Sequence, residues 1–246
     1  MEIALLTDVG QRRSNNQDFV NQFRNQAGNP LIVLADGMGG HRAGNIASEM
    51  AVTDLGAAWV HSDINSIDQM RFWFETQLEA ENQKIHAMGQ EDEFRGMGTT
   101  LEAVVLIGNQ AVFAHVGDSR VSIWDQREYI QLTSDHSLVN ELLKAGQITE
   151  EEAMNHPQKN IITQSIGQQD PVKPDIGLAV LQDGDYLIIS SDGLTNMVTN
   201  VQIQEVLATD LSLQEKAATL VHMANVAGGI DNISVALVHY KQEDQL

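Results

Sequence analysis

The sequence contains no cysteine. Disulfides, thiolate nucleophiles and cysteine-based zinc sites are thereby excluded, and the absence fits a reducing compartment. Basic residues are scarce: 14 Lys and Arg stand against 34 Asp and Glu, a formal charge of −20. A field of that sign repels nucleic-acid phosphate and anionic lipid, so neither is expected as a partner. It suits a protein that gathers divalent cations, although solubility alone accounts for acidity in many proteins. Long apolar runs are missing as well. The longest, such as residues 31–35 and 103–107, have the length of a strand and fall far short of a membrane span. The opening MEIALLTDVGQRR has no basic segment followed by an apolar one, so neither a signal peptide nor membrane insertion is expected. A soluble, cytoplasmic protein is the expectation. There is no HExxH, and the glycines of GMGGHRAG lack both the Walker lysine and the GxGxxG spacing.

What is present is an ordinary apolar content, 42% over 246 residues, enough for a sizeable core. No repeat, low-complexity stretch or Pro/Gly-rich linker interrupts it, so residues 1–246 are expected to form one domain. Strand patterns cover 3–8, 19–23 and the solid apolar run 31–35. Helical spacing follows over 43–60 and 64–88. Short strand-like segments return at 99–107, 111–116, 121–124 and 129–132, separated by Gly, Asp or Asn, the pattern of antiparallel hairpins. Two short helices are predicted at 136–144 and 149–154. The polar, Gln-rich stretch 156–174 has little periodicity and suits a mobile flap. A further hairpin is predicted from 176–181 and 186–190, then helices at 201–207 and 211–226 and a closing strand at 233–240. Antiparallel runs with grouped helices predict an α+β fold. About ten strands exceed one open sheet, which predicts two packed antiparallel sheets flanked by helix pairs, a four-layer α-β-β-α sandwich.

Several aspartates stand out against this background. Asp36 follows LIVLA, and Asp192 follows YLIISS; each is delivered at the end of a core strand and is trailed by glycine. The third Asp-Gly pair, Asp183-Gly184, reads as a hairpin turn. Taken alone, Asp231 in GGIDN reads as an Asx turn after a Gly-Gly helix stop, and Asp18 in RSNNQD as a solvated loop carboxylate. Asp118 in HVGDSR is either a plain turn residue or a ligand. Together, aspartates at strand ends with adjacent glycines suit a hard-cation site, because Mg²⁺ and Mn²⁺ take oxygen ligands and glycine lets backbone carbonyls approach.

The ordered set GQRRSNNQD, LADGMGGHRAG, GMGTTLEAV, AHVGDSR, SDHSLVNELLKAGQIT, NIITQSIG, ISSDGLTN and GGIDNISVALV resembles the bacterial form of the protein phosphatase 2C family along nearly the whole chain. The resemblance implies the same sandwich and a metal-dependent Ser/Thr protein phosphatase with two Mn²⁺ or Mg²⁺ ions and a third in bacterial members. Asp36 would bridge two ions, with the Gly37 carbonyl on the second. Asp192 and Asp231 would bind the first, and Asp18 would contribute through water. Asp118, with Asp192, would hold the third. Arg13 would bind the substrate phosphate, Asn232 would support the ligands, and residues 135–166 would form a flap over the site. Some relatives carry His directly after the Asp-Gly pair; here that position is Met38. His41 is the nearest alternative, either as proton donor to the leaving group or as a loop residue capping the next helix. A phosphatase similar to this one is often paired with a membrane-anchored Ser/Thr kinase, which makes a kinase an expected partner of an expected monomer.

Phosphomonoester hydrolysis is among the slowest uncatalysed reactions, so positioning and charge neutralisation must supply most of the acceleration. A two-metal site supplies both, and without a thiol nucleophile the expected step is direct attack by a metal-bridging hydroxide, with Asp36 and Asp192 at its centre. Arg13 grips phosphate through its planar fork. Three other readings compete: a small-molecule phosphomonoesterase, a catalytically silent metal-binding module that docks to a kinase, and an acidic structural domain without metal.

Overall fold

The structure is a computed structural model that describes residues 1–39 and 43–242. Its elements run β1 (Glu2–Asp8), β2 (Asp18–Arg24), β3 (Pro30–Met38), α1 (Ala43–Val60), α2 (Met70–Met88), β4 (Gly98–Thr99), β5 (Leu101–Ile107), β6 (Gln110–Val116), β7 (Arg120–Trp124), β8 (Tyr129–Gln131), α3 (Leu138–Lys144), α4 (Glu150–Met154), β9 (Asp175–Val180), β10 (Tyr186–Ser190), α5 (Asp192–Thr195), α6 (Asn200–Leu207), α7 (Leu213–Val226) and β11 (Ile233–His239). All strand pairing is antiparallel. One sheet has the order β1-β11-β10-β7-β8; the other has β2-β3-β5-β6-β9, with β4 added against β3.

The solid apolar runs are explained by burial on both faces. Successive side chains of a strand point to opposite sides. Leu31, Val33 and Ala35 of β3 face Ala47, Leu55, Trp59 and Phe74 of α1 and α2. Ile32 and Leu34 face the other sheet and pack with Leu187, Ile189, Ala236 and Val238. On the opposite side, Ile188 and Leu237 meet Leu220 and Val221 of α7. Helix, sheet, sheet, helix is the order of layers that the sequence predicts. Helix starts follow local capping. Thr199 with Gln202 and Ser212 with Glu215 form capping boxes for α6 and α7. The helix predicted from residue 64 begins later, because Ser66 caps a 3₁₀ turn over Ile67–Gln69 and α2 starts only at Met70.

Two predicted hairpins are not formed. β9 pairs with β6 at the edge of the second sheet, whereas β10 lies inside the first between β11 and β7. Asp183-Gly184 is therefore a turn between sheets. The reason is burial: β9 leaves Leu178 and Val180 49% and 50% exposed, as an edge tolerates, while every residue of YLIIS in β10 is buried and needs a neighbour on each side. The segment around Asp118 likewise passes from β6 in one sheet to β7 in the other and is no hairpin turn. The stretch predicted as a flap carries α3 and α4 and is tied back at its end. Ile166 is fully buried and exchanges two backbone hydrogen bonds with Thr99, at 2.9 and 3.0 Å. Among the described residues no helix is long and apolar enough to cross a membrane.

Candidate active site

The predicted site residues that the structure describes come together at one end of the two sheets. Asp36 closes the buried part of β3, and Asp18 opens β2 directly opposite it in register. Asp192 begins α5 immediately after β10, and Asp231 precedes β11. Arg13, Asp36, Gly37, Asp118, Asp192, Asp231 and Asn232 line one pocket of about 270 Å³, together with Gln17, Thr100, Asn160 and others. A larger cavity of about 730 Å³ adjoins it, shares Asp118, Asn160 and Asp192, and extends between α3 and the start of α6.

Backbone contacts hold the ligand-bearing segments. The Asp36 amide donates to Thr100 Oγ1 at 3.0 Å, and the Asp36 carbonyl accepts from the Thr100 amide and the Thr99 hydroxyl, each at 2.9 Å. Gly37 sits against α1, where a Cβ would lie 2.0 Å from the Gly44 carbonyl oxygen, so only glycine lets the strand end so close to the helix. Asn232 works as a clasp. Its Oδ1 accepts from the Gln17 amide at 2.8 Å, and its Nδ2 donates to the carbonyls of Val9 and Asn15 at 2.8 and 2.9 Å. It thereby binds the Arg13 loop to the Asp231 loop. Arg13 Nη2 donates to Asp231 Oδ2 at 2.7 Å, and Arg13 Nε to the Ile230 carbonyl at 3.3 Å.

The carboxylates press on one another. Asp36, Asp118 and Asp192 lie deep in the fold while keeping part of their surface open to the pocket. Burial pushes Asp36 well above the usual carboxylate range, and the charges of Asp18, Asp192, Asp118 and Asp231 add to it. Burial raises Asp18 to about 7 against the hydrogen bond from Ser191. Asp118 rises to about 7 through burial and the charge of Asp192, and Asp192 to about 6 through burial and the charge of Asp231. Negative charge on all of them at once is costly, and positive charge in the pocket would relieve it.

No three Asp, Glu, His or Cys side chains among the described residues are drawn tightly enough to hold an ion as placed; Asp231 is engaged by Arg13 and Asp18 by Ser191 instead. The donor set nevertheless fits a hard divalent cation. The candidate ligands are carboxylate and carbonyl oxygens, Asp18 Oδ1 is buried without a hydrogen-bond partner, and a divalent charge would cancel the mutual repulsion. The proton-donor role read for His41 lies outside the described residues.

Sequence reasoning missed the supporting hydroxyls. Ser191 Oγ donates to Asp18 Oδ2 at 2.7 Å and accepts from the Ser234 amide at 3.0 Å. Thr100 Oγ1 lies 2.9 Å from Ser119 Oγ besides holding Asp36. The signal was present for Ser191: a polar pair, Ser190-Ser191, ends an otherwise apolar buried strand.

The comparisons with known proteins agree with this geometry. A family model described as protein phosphatase 2C matches residues 10–230. Protein phosphatase PhpP of Streptococcus pneumoniae is 62% identical over 244 residues, covering 99% of both chains. Serine/threonine phosphatase stp of Listeria monocytogenes is 41% identical, covering 97% of this chain and 95% of that one. Among solved structures, the S. agalactiae serine/threonine phosphatase superposes with a TM-score of 0.96 at 62% identity, covering 98% of this chain and 99% of that one. The catalytic domain of the serine threonine protein phosphatase PstP in complex with two manganese ions superposes with a TM-score of 0.83 at 31% identity, covering 96% of each. The chain belongs to the protein phosphatase 2C family of metal-dependent serine/threonine phosphatases.

Proposed function

We propose that this chain hydrolyses phosphoserine and phosphothreonine in proteins by direct attack of water on phosphorus, without a phosphoenzyme, and so reverses a bacterial Ser/Thr kinase in the cytoplasm. The observation that carries the reading is the meeting of Asp18, Asp36, Asp118, Asp192 and Asp231 with Arg13 at one sheet end, with carboxyl groups whose raised pKa values a bound cation would bring down. Two divalent ions there would lower the pKa of water and neutralise charge developing on the phosphoryl oxygens. Asp36, the Gly37 carbonyl, Asp192 and Asp231 would hold these ions, with Asp18 contributing through water. Asp118 and Asp192 would serve a third. Arg13 turns its guanidinium from Asp231 to the substrate phosphate and orients it for in-line displacement. Asn232 keeps the two loops in register so that this exchange is short-range. His41 remains the proposed proton donor to the leaving oxygen.

The adjoining cavity of about 730 Å³ supports a polypeptide substrate over a small metabolite, since it continues the site with Val139, Leu143 and Val201 as apolar surface and Asn140, Asn196 and Asn200 as amide partners. One domain acting as a monomer suffices for this chemistry, because all the proposed groups come from a single chain. The test is phosphate release from a phosphothreonine peptide with Mn²⁺, with EDTA, and with Asp192→Ala. Release with Mn²⁺ that disappears in the other two arms is expected. No release with any divalent cation from folded protein would sink the enzymatic reading and favour a docking module. Higher kcat/KM on phosphorylated metabolites than on phosphopeptides would favour the small-molecule esterase.

A further inference from the structure

Three segments, TTLEAV, AHVGDSR and SDHS, carry titratable side chains that the proposed chemistry leaves unused. Glu102 and His115 face each other across β5 and β6. Both side chains are completely buried, with Glu102 Oε1 against His115 Nδ1. His115 Nε2 lies 3.2 Å from the Ser134 carbonyl, which can only accept, so that nitrogen carries a proton. The His136 ring lies over His115 with centroids 4.5 Å apart.

The hydrogen bonds around His136 decide its tautomer. Its Nδ1 lies 3.2 Å from the Gly117 amide and 3.1 Å from Gln164 Nε2. The Gln164 amide is oriented by Lys173, whose N–H donates to Oε1 and whose carbonyl accepts from Nε2, both at 2.9 Å. Two donors therefore point at Nδ1, which must accept. The proton is left to Nε2, which faces Asp175 Oδ2 at 3.3 Å. The charged groups around the ring are His115 from β6, Asp175 from β9 and Lys144 from α3. Burial and the proximity of His115 both favour the neutral ring.

His136 holds Gly117 twice. Besides the amide bond to Nδ1, the His136 backbone N–H donates to the Gly117 carbonyl at 2.7 Å. From the other side Thr100 closes in: Gly117 has φ of 114°, and a Cβ there would lie 2.5 Å from Thr100 Cγ2. The next residue is Asp118. The His136 carbonyl also accepts from the Thr163 amide at 2.8 Å, so one residue joins the Asp118 turn to both ends of the segment carrying α3 and α4.

We propose that His136 is a positioning residue: as the neutral Nε2–H imidazole it clamps Gly117 through Nδ1 and its own backbone amide, and so sets the direction in which Asp118 presents its carboxylate to a divalent cation. The inference rests on the proposed role of Asp118 as a cation ligand. Asparagine and glutamine separate the two ring nitrogens, because asparagine places an amide near Nδ1 and glutamine near Nε2. Mn²⁺ binding is measured by calorimetry on folded His136→Asn, His136→Gln and His136→Ala proteins, alone and with Asp118→Ala, and ¹⁵N–¹H correlation spectra of the metal-free parent report the tautomer.

The expected result is a ring protonated on Nε2 only, binding of the weakest Mn²⁺ kept in His136→Asn, and that binding weakened about tenfold in His136→Gln and His136→Ala. The weakening should vanish when Asp118 is already alanine. A proton on Nδ1 at neutral pH, equal behaviour of the Asn and Gln variants, or an undiminished loss in the Asp118→Ala background would overturn the inference while leaving the role of Asp118 intact. Unchanged Mn²⁺ binding in Asp118→Ala alone would remove that role and this inference with it. If His136→Ala does not fold, the Asn and Gln pair decides by the same outcomes.

Discussion

Arg13 and Asp231 are joined at 2.7 Å across 218 positions of sequence, so the group proposed to grip phosphate and a group proposed to bind metal neutralise each other until both are needed elsewhere. On the proposed roles, cation binding at Asp231 would free the guanidinium, and removal of the guanidinium would free the carboxylate. Arg13→Ala is therefore expected to raise KM for a phosphopeptide about tenfold or more, with a smaller fall in kcat, while Mn²⁺ binds no more weakly than in the parent. Steady-state kinetics with calorimetric Mn²⁺ titration checks this. Weaker Mn²⁺ binding in the variant would show that the pair supports the metal site instead of competing with it.

Ser191 is the donor that Asp18 retains in the buried sheet end, with Asp18 Oδ1 already unpartnered. Ser191→Ala leaves that carboxyl without its hydroxyl and deprives the Ser234 amide of an acceptor. Destabilisation of about 1–3 kcal/mol is expected, the range for leaving a buried polar group unsatisfied. Urea denaturation of metal-free protein measures it. Ser191→Thr keeps the hydroxyl and should recover most of the loss, and a Thr variant as unstable as Ala would disprove the hydrogen-bond account.

The clustered carboxyls make the metal-free fold sensitive to pH. Each takes up a proton more readily in the fold than in the unfolded chain, so their contribution to stability is fully present below about pH 4. It is lost as pH rises through about 6 at Asp192 and about 7 at Asp18 and Asp118. In EDTA the melting temperature should fall from about pH 5 to about pH 8. Mn²⁺ should restore it by an amount that grows with pH, since the cation displaces protons. A flat or rising curve in EDTA would contradict the charge clustering.

Arg120 and Asp135 tie β7 to the start of the segment carrying α3, with Nε to Oδ1 at 3.0 Å and Nη2 to Oδ2 at 2.6 Å. Both line the large cavity beside the carboxylate pocket. Arg120→Lys keeps the charge and loses the planar fork. A loss of about 1–2 kcal/mol in stability is expected, with a fall in kcat/KM on phosphopeptides that exceeds the fall on p-nitrophenyl phosphate, which has no peptide chain to lay along that cavity. Equal losses on the two substrates would separate this pair from substrate binding.

Much of the molecule was legible in the sequence. Alternation and solid apolar runs are local properties, and they predicted the strands, both helix pairs and the sandwich. A solid run such as residues 31–35 can be satisfied only by burial on both faces, which is what two packed sheets with outer helices provide. Asp36 and Asp192 were legible for the same reason, as carboxylates at the ends of such runs. Strand partners were not legible. Residues 176–181 and 186–190 are neighbours in sequence and lie in different sheets, because pairing is decided by which edge and which face each strand must bury. Nor could local pattern place Asp18 opposite Asp36, bring Ser191 to Asp18 across 173 positions, or turn two donors onto Nδ1 of His136. Local sequence set which residue types stand at the ends of which elements. Which of them meet was left to the packing of the chain, since hydrogen bonds and mutual charge act over a few ångströms and are set by the registers and crossings of segments far apart in the chain.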